Sequence, residues 1–171
     1  MSDTPGVEAP NEGPVSPAMS GTPRQQGYRM PAEWEPHEAT WLAWPHNPED
    51  WPGKFQPIPW VYCEIVRHLS AAEEIHILVE DLAAQGRARG QLARAGCRLD
   101  RVHFHLWPTN RVWTRDSGPI FIRRIASPSE PSPGAAEPGS GLAITNWKFN
   151  AWAKYDDWQH DDQVPARVAE L

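Results

Sequence analysis

Between Ala39 and Trp107, short β-branched and aromatic runs take turns with stretches of helical spacing, and this alternation restricts the fold more than any other feature. Ala39 to Trp44 (ATWLAW) reads as a strand, Pro59 to Leu69 carries Val61, Ile65, Val66 and Leu69 at helical spacing, and Ile75 to Val79 is a second short apolar run. Leu82 to Ala95 (LAAQGRARGQLARA) continues with good helix formers interrupted by Gly86 and Gly90. Gly96 is placed to stop that helix, and Val102 to Trp107 is a third strand. Strands separated by helices make βαβ units, so the fold class is α/β. A right-handed crossover then puts the loop after Trp107 at the carboxyl end of a parallel strand, where such sheets bind ligands.

Two segments lie outside this pattern. Residues 1–27 are dominated by Pro, Gly, Ser, Thr and acidic residues without apolar periodicity, and are expected to be a disordered tail. Residues 126–141 (ASPSEPSPGAAEPGSG) have the same character and separate two β-prone runs, Pro119 to Ile125 and Leu142 to Phe149, which predicts a long, mobile hairpin loop. The remaining stretch, 28–171, is expected to be folded in part, in a chain long enough for one domain. A 40% apolar share with ten tryptophans permits a sizeable core.

Charge and cysteine usage exclude several classes. Sixteen basic residues scattered among twenty-two acidic ones, a net charge of −6, give no footprint for nucleic acid and suit a small cationic ligand better. No apolar run reaches the about 18 residues of a membrane span, so no membrane partner is expected. With only Cys63 and Cys97, and no basic and apolar leader at the N-terminus, a disulfide framework is not expected and the reading is cytoplasmic.

The loop after the third strand holds the densest chemistry. Trp107 to Pro119 reads WPTNRVWTRDSGP, with Asn110, Arg111, Arg115 and Asp116 close together among aromatic residues. A guanidinium is a planar cation whose donors form a fixed fork, so a carboxylate takes two of its N–H groups while an indole covers its face. On one reading Trp113 and Asp116 supply those two contacts. The competing reading makes Arg115 and Asp116 a surface turn pair and Trp113 a core residue; spacing alone leaves both open.

Three ordered blocks, MPAEWEPHEATWLAWP (Met30 to Pro45), TNRVWTRDSGP (Thr109 to Pro119) and NWKFNAW (Asn146 to Trp152), resemble the N-terminal motifs of the agmatine deiminase and bacterial peptidylarginine deiminase family. The resemblance covers about residues 28 to 171. It implies a partial pentein-type α/β propeller of about two αβ modules around a guanidine site. By motif match, Asp116 takes the place of the carboxylate that grips the substrate guanidinium and Trp113 that of the aromatic wall. Arg115 is then expected to be a buried structural partner, and Gly118 a tight turn before Pro119.

The implied chemistry is attack of a cysteine thiolate on the guanidinium carbon, loss of ammonia, and hydrolysis of the thiouronium intermediate with a histidine as acid and base. It calls for no cofactor and no metal. The glutamate of the EGG segment, the histidine with its neighbouring aspartate, and the cysteine of a GGGNIHC-like segment have no match here. The chain ends at Leu171 inside a helix expected from about Gln163, so it is expected to be a truncated piece carrying no catalytic residue.

Residues present do not substitute. Cys63 lies on a helix where a buried thiol is expected, and Cys97 follows a helix stop without a histidine nearby in sequence. His103 and His105 share one strand face, too few donors for a metal, and His37, His46, His68, His76 and His160 are scattered. Asp156, Asp157, Asp161 and Asp162 read as a solvated acidic face or helix N-terminal charges. The functions carried forward are agmatine deimination to N-carbamoylputrescine in putrescine synthesis, peptidyl-arginine deimination, and a non-catalytic guanidine or polyamine binder. A tryptophan-rich carbohydrate-binding domain ranks last. The expected partner is a small guanidinium compound, with a homo-oligomer left open for a full-length form.

Overall fold

A computed structural model describes residues 21–124 and 141–171. The chain enters through hydrogen-bonded turns at residues 22–27 into a two-residue strand, β1 (Tyr28–Arg29). β2 (Ala39–Ala43), α1 (Ile58–Leu69), β3 (Glu74–Leu78), α2 (Leu82–Arg94) and β4 (Val102–His105) follow, in the order the periodicity predicts. A single turn, α3 (Thr114–Ser117), leads to β5 (Ile120–Arg124) and β6 (Leu142–Thr145), and α4 (Val164–Ala169) comes last. Residues 1–20 of the expected tail and 126–140 of the expected mobile loop lie outside the described residues, as does Ile125. No helix among the described residues is long and apolar enough to cross a membrane.

The helices start and stop for local reasons. In α1 a proline in the first turn matches the helical φ at a position whose N–H needs no partner, and Arg67 and His68 in the last turn complement the dipole. Its buried stripe is Cys63 and Val66, with Val61 and Ile65 largely exposed. In α2 the Asp81 carboxylate accepts the Ala84 N–H at 2.7 Å, and Ala84, Ala88 and Leu92 form the buried face at four-residue spacing. Gly96 ends that helix at φ +73°, where its N–H bonds Ala93 O and the next N–H, of Cys97, bonds Leu92 O. This pair of bonds closes the last turn and requires the left-handed conformation that glycine adopts without strain.

β2, β3 and β4 form a parallel sheet in that order, with Trp41 opposite His76 and His76 opposite His103. Strand alternation sorts the side chains. Ile75, Ile77 and Val102 point to α1 and α2, which pack together and bury a first core with Trp44, Val66, Ala88 and Leu92. The other face carries Trp41, Ala43, His76, Leu78, His103 and His105. At the carboxyl end of that face a second core forms from Ala43, Leu78, Val112, Val164 and Val168, with Phe121 and Ile144 of the second sheet packed against it. The second sheet is antiparallel, ordered β1, β5, β6, and its central strand pairs with Tyr28 and Arg29 on one side and with Leu142 to Thr145 on the other. Among the described residues the architecture is mixed α/β, with two separate three-stranded sheets and no closed sheet.

Candidate functional site

The loop after β4 stands at the carboxyl end of the parallel strands and is held by backbone groups that face side chains far away in sequence. The Asp161 carboxylate, 1% exposed, accepts the N–H of Asn110 at 2.7 Å and of Arg111 at 3.1 Å. Asn110 in turn accepts the His160 N–H through its side-chain oxygen at 2.8 Å, and its carbonyl takes an N–H from Asn47 at 3.3 Å. Burial raises the Asp161 carboxyl to about 6, against the pull of those two backbone donors and of His46.

Arg111 is the buried cation of this loop. Its guanidinium donates to Asp50 and to Asp157, both at 2.9 Å, and lies over the rings of Tyr155 at 4.8 Å and Trp113 at 5.5 Å. Burial opposes the charge, but hydrogen bonds to the two carboxylates outweigh it and hold the group above its usual range. Arg111 Nε and Asp50 Oδ2 have no hydrogen-bond partner, so the cluster is not fully satisfied. The acidic residues read from sequence as a solvated face are therefore largely structural. Asp157 grips Arg111, Asp161 fixes the loop, and Asp162 accepts the Phe149 N–H at 2.8 Å and pairs with Lys148. Asp50 and Tyr155 escaped the sequence reading altogether.

Trp113 and Asp116 occupy the two ends of one helical turn, with the Asp116 N–H bonded to Trp113 O at 3.0 Å. Trp113 is half-buried, packs on the second core, and meets Trp152 at 5.3 Å and Tyr155 at 5.5 Å between ring centres. Asp116 is exposed, and its carboxylate has no hydrogen bond or ion pair among the described residues. Arg115 corrects an expectation. It is not buried but 80% exposed, and it reaches Glu33 at 2.6 Å rather than its neighbour Asp116. The turn pair of the competing reading is thus absent. Gly118 closes the turn at φ −74°, so its need is proximity: a Cβ there would sit 2.3 Å from the Thr114 carbonyl oxygen.

The third sequence block ends in an unusual backbone. Ala151, Trp152 and Ala153 all have positive φ, at 49°, 56° and 54°, in a run with no glycine. Each such L-residue costs roughly 1–2 kcal/mol. The run buries Ala151 completely and delivers the Trp152 ring to Trp113.

The remaining reactive groups lie elsewhere. Cys63 is fully buried beneath the helices, where burial, and then Cys97, pushes its thiol up to about 11. The Cys97 thiol donates to the Cys63 carbonyl at 3.4 Å and is also raised by burial. His103 and His105 share a face as expected, but His76 joins them from β3, its Nδ1 2.8 Å from His105 Nε2, and Trp41 stacks on His76 at 4.3 Å. Burial, then His105 and His103, lowers His76 to about 4. No group of three or more His, Cys, Asp or Glu side chains among the described residues is arranged to hold a metal ion.

Residues 29–171 match the model of the Porphyromonas-type peptidyl-arginine deiminases. The agmatine deiminase of Stutzerimonas stutzeri is 31% identical over 158 residues, covering 90% of this chain and 38% of that protein. That of Pseudomonas aeruginosa is 29% identical over 159 residues, with 89% and 38% covered. The solved agmatine deiminase of Enterococcus faecalis superimposes with a TM-score of 0.68 at 26% identity, over 89% of this chain and 38% of its own. The chain thus spans less than half the length of these relatives. A match that runs through all three sequence blocks and the loop that positions Trp113 and Asp116 means that this chain belongs to the Porphyromonas-type peptidyl-arginine deiminase family.

Proposed function

We propose that this chain supplies the guanidinium-gripping part of an agmatine deiminase, with Asp116 as the clamp and Trp113 as the wall. The observation that carries the reading is the pairing of opposite states in one short loop. Arg111 is locked by two carboxylates beneath Trp113, while Asp116, one turn on, keeps an exposed carboxylate with no protein partner among the described residues. An unpaired carboxylate on the same helical turn as an indole suits a planar cation, which gains a charge-assisted fork of hydrogen bonds and a face contact. The two αβ units are, on this reading, part of a pentein propeller around that site.

The reaction is hydrolysis of agmatine to N-carbamoylputrescine and ammonia, in a cytoplasmic route to putrescine. Thiolate attack on the guanidinium carbon and its acid–base assistance come from groups this chain does not contain, since Cys63 and Cys97 carry raised thiols away from Asp116 in the helical layer. The likeness to agmatine deiminases favours agmatine over peptidyl arginine, which the family's description keeps as the second reading.

The test joins residues 28–171 to the remaining part of the Stutzerimonas stutzeri enzyme and follows ammonia release from agmatine and from a blocked arginine peptide. Agmatine is expected to turn over and the peptide not. Asp116→Asn keeps the shape and removes the charge, so kcat/KM is expected to fall about 10²–10³-fold, with Trp113→Phe costing about tenfold or less. The isolated chain is expected to release no ammonia above a Cys63→Ala, Cys97→Ala control. Near wild-type turnover by Asp116→Asn would remove the clamp assignment.

A further inference from the structure

On the helical side of the parallel sheet, away from the Asp116 turn, a cleft of about 220 Å³ opens at the carboxyl ends of β2 and β3. Its volume is well above the ~15 Å³ a single water needs and below the roughly 300 Å³ at which pockets for drug-sized ligands begin. It is therefore sized for a metabolite of few heavy atoms. The floor is apolar and buried, made by Trp44, Val79 and Ala84, with Phe55 and Pro59 as one wall. Strand ends of a parallel sheet are also where α/β folds place ligands.

The rim decides the chemistry. Glu80, two residues past β3, and Arg87, on α2, both line the cleft, and neither makes an ion pair or a side-chain hydrogen bond among the described residues. Gln91 lines the same rim. His46 lines the rim too, with its Nδ1 3.0 Å from the Trp44 carbonyl, which only accepts, so Nδ1 carries a proton. One free carboxylate and one free guanidinium around an apolar floor complement a zwitterion with an apolar body. A dication such as agmatine meets one attractive and one repelling charge here.

We infer that this cleft binds a free α-amino acid with an apolar side chain, its carboxylate at Arg87, its ammonium at Glu80, and its side chain against Trp44 and Phe55. The site is separate from the guanidinium clamp and does not depend on that assignment.

Calorimetric titration of the whole chain with L-phenylalanine and L-leucine tests it, with phenethylamine, 3-phenylpropionate and agmatine as controls. Saturable one-to-one binding of the two amino acids is expected, with dissociation constants of about 0.1–1 mM for an open, partly polar cleft. Removing either charge from the ligand should weaken binding about fivefold or more, as should Arg87→Gln or Glu80→Gln. Both side chains are exposed and unpaired, so the variants are expected to melt like the parent, and a melting scan on each verifies that the comparison is between folded proteins. The inference is overturned by no saturable binding up to about 10 mM, by analogues lacking one charge that bind as well as the amino acids, or by Arg87→Gln with unchanged affinity.

Discussion

Replacing Arg111 by lysine keeps a positive charge but removes the planar fork that reaches Asp50 and Asp157 at once. Asp50 has a side chain 1% exposed, so the change leaves a buried carboxylate poorly paired, at a cost of about 3 kcal/mol. For a domain of this size that lowers the melting temperature by about 6–12 °C, measurable by calorimetry. Asp161 gives a pH signature of definite sign. Its carboxyl is raised to about 6 in the fold, so the proton is held more tightly there than in the unfolded chain. The stability this contributes is fully present below the ordinary carboxylate value near 4. It is lost as pH rises through about 6, to an extent of about 3 kcal/mol. Asp161→Asn removes that dependence, so the stability difference between parent and variant is expected to shift in the variant's favour from pH 4 to pH 7, by urea denaturation at each pH. The placing of Trp113 and Asp116 in one short loop was legible because a single motif carries both. The roles of Arg111 and Asp161 were not, because Arg111's partners lie 61 and 46 positions away and Asp161 caps amides 51 and 50 positions before it. Such pairings exist only once the fold has brought those segments together.

The elements that depend on local signals were the readable ones. Gly96 as a stop and the change of period between strands and helices both act over a few residues, and each appears where the sequence placed it; the Asp81 cap acts over the same short range but was found only in the structure. The β-prone run from Leu142 yielded only the four residues of β6, since the ladder with β5 ends at Thr145 and the chain then turns toward the run at Ala151 to Ala153. Nothing in NWKFNAW announces three left-handed residues, because the composition lacks the glycine that normally marks them. Ala153→Gly is expected to stabilise the fold by about 1 kcal/mol, since it removes the Cβ clash of that backbone, although the extra freedom of the unfolded chain takes back part of the gain. A lowered or unchanged denaturation midpoint would mean that residue 153 is not left-handed in solution. The histidine face was half legible: alternation put His103 and His105 together, but His76 joins them only through the register of β3 on β4.

At the scale of the molecule, the parallel sheet pairs strands that follow one another in sequence, whereas the second sheet ties Tyr28 and Arg29 to Arg124 and Arg123 through two residue pairs. The first arrangement follows from the βαβ pattern. The second depends on a strand too short to leave a pattern, which is why it was not foreseen. Protection against hydrogen exchange is expected to follow the same division. Amides of Ile75 and Ile77, fully buried in the first core, should open only with the whole domain, and those of β1 by local fraying at least about a hundredfold faster. Equal protection in the two strands would show that both sheets open as one unit. The layout also sets an order in time. A chain made from its N-terminus completes β2, β3 and β4 before Asp157 and Asp161 have been synthesised. The segment holding Trp113 and Asp116 therefore leaves the ribosome with Asp50 already made but without Asp157 and Asp161, and it acquires its form only once those two carboxylates arrive.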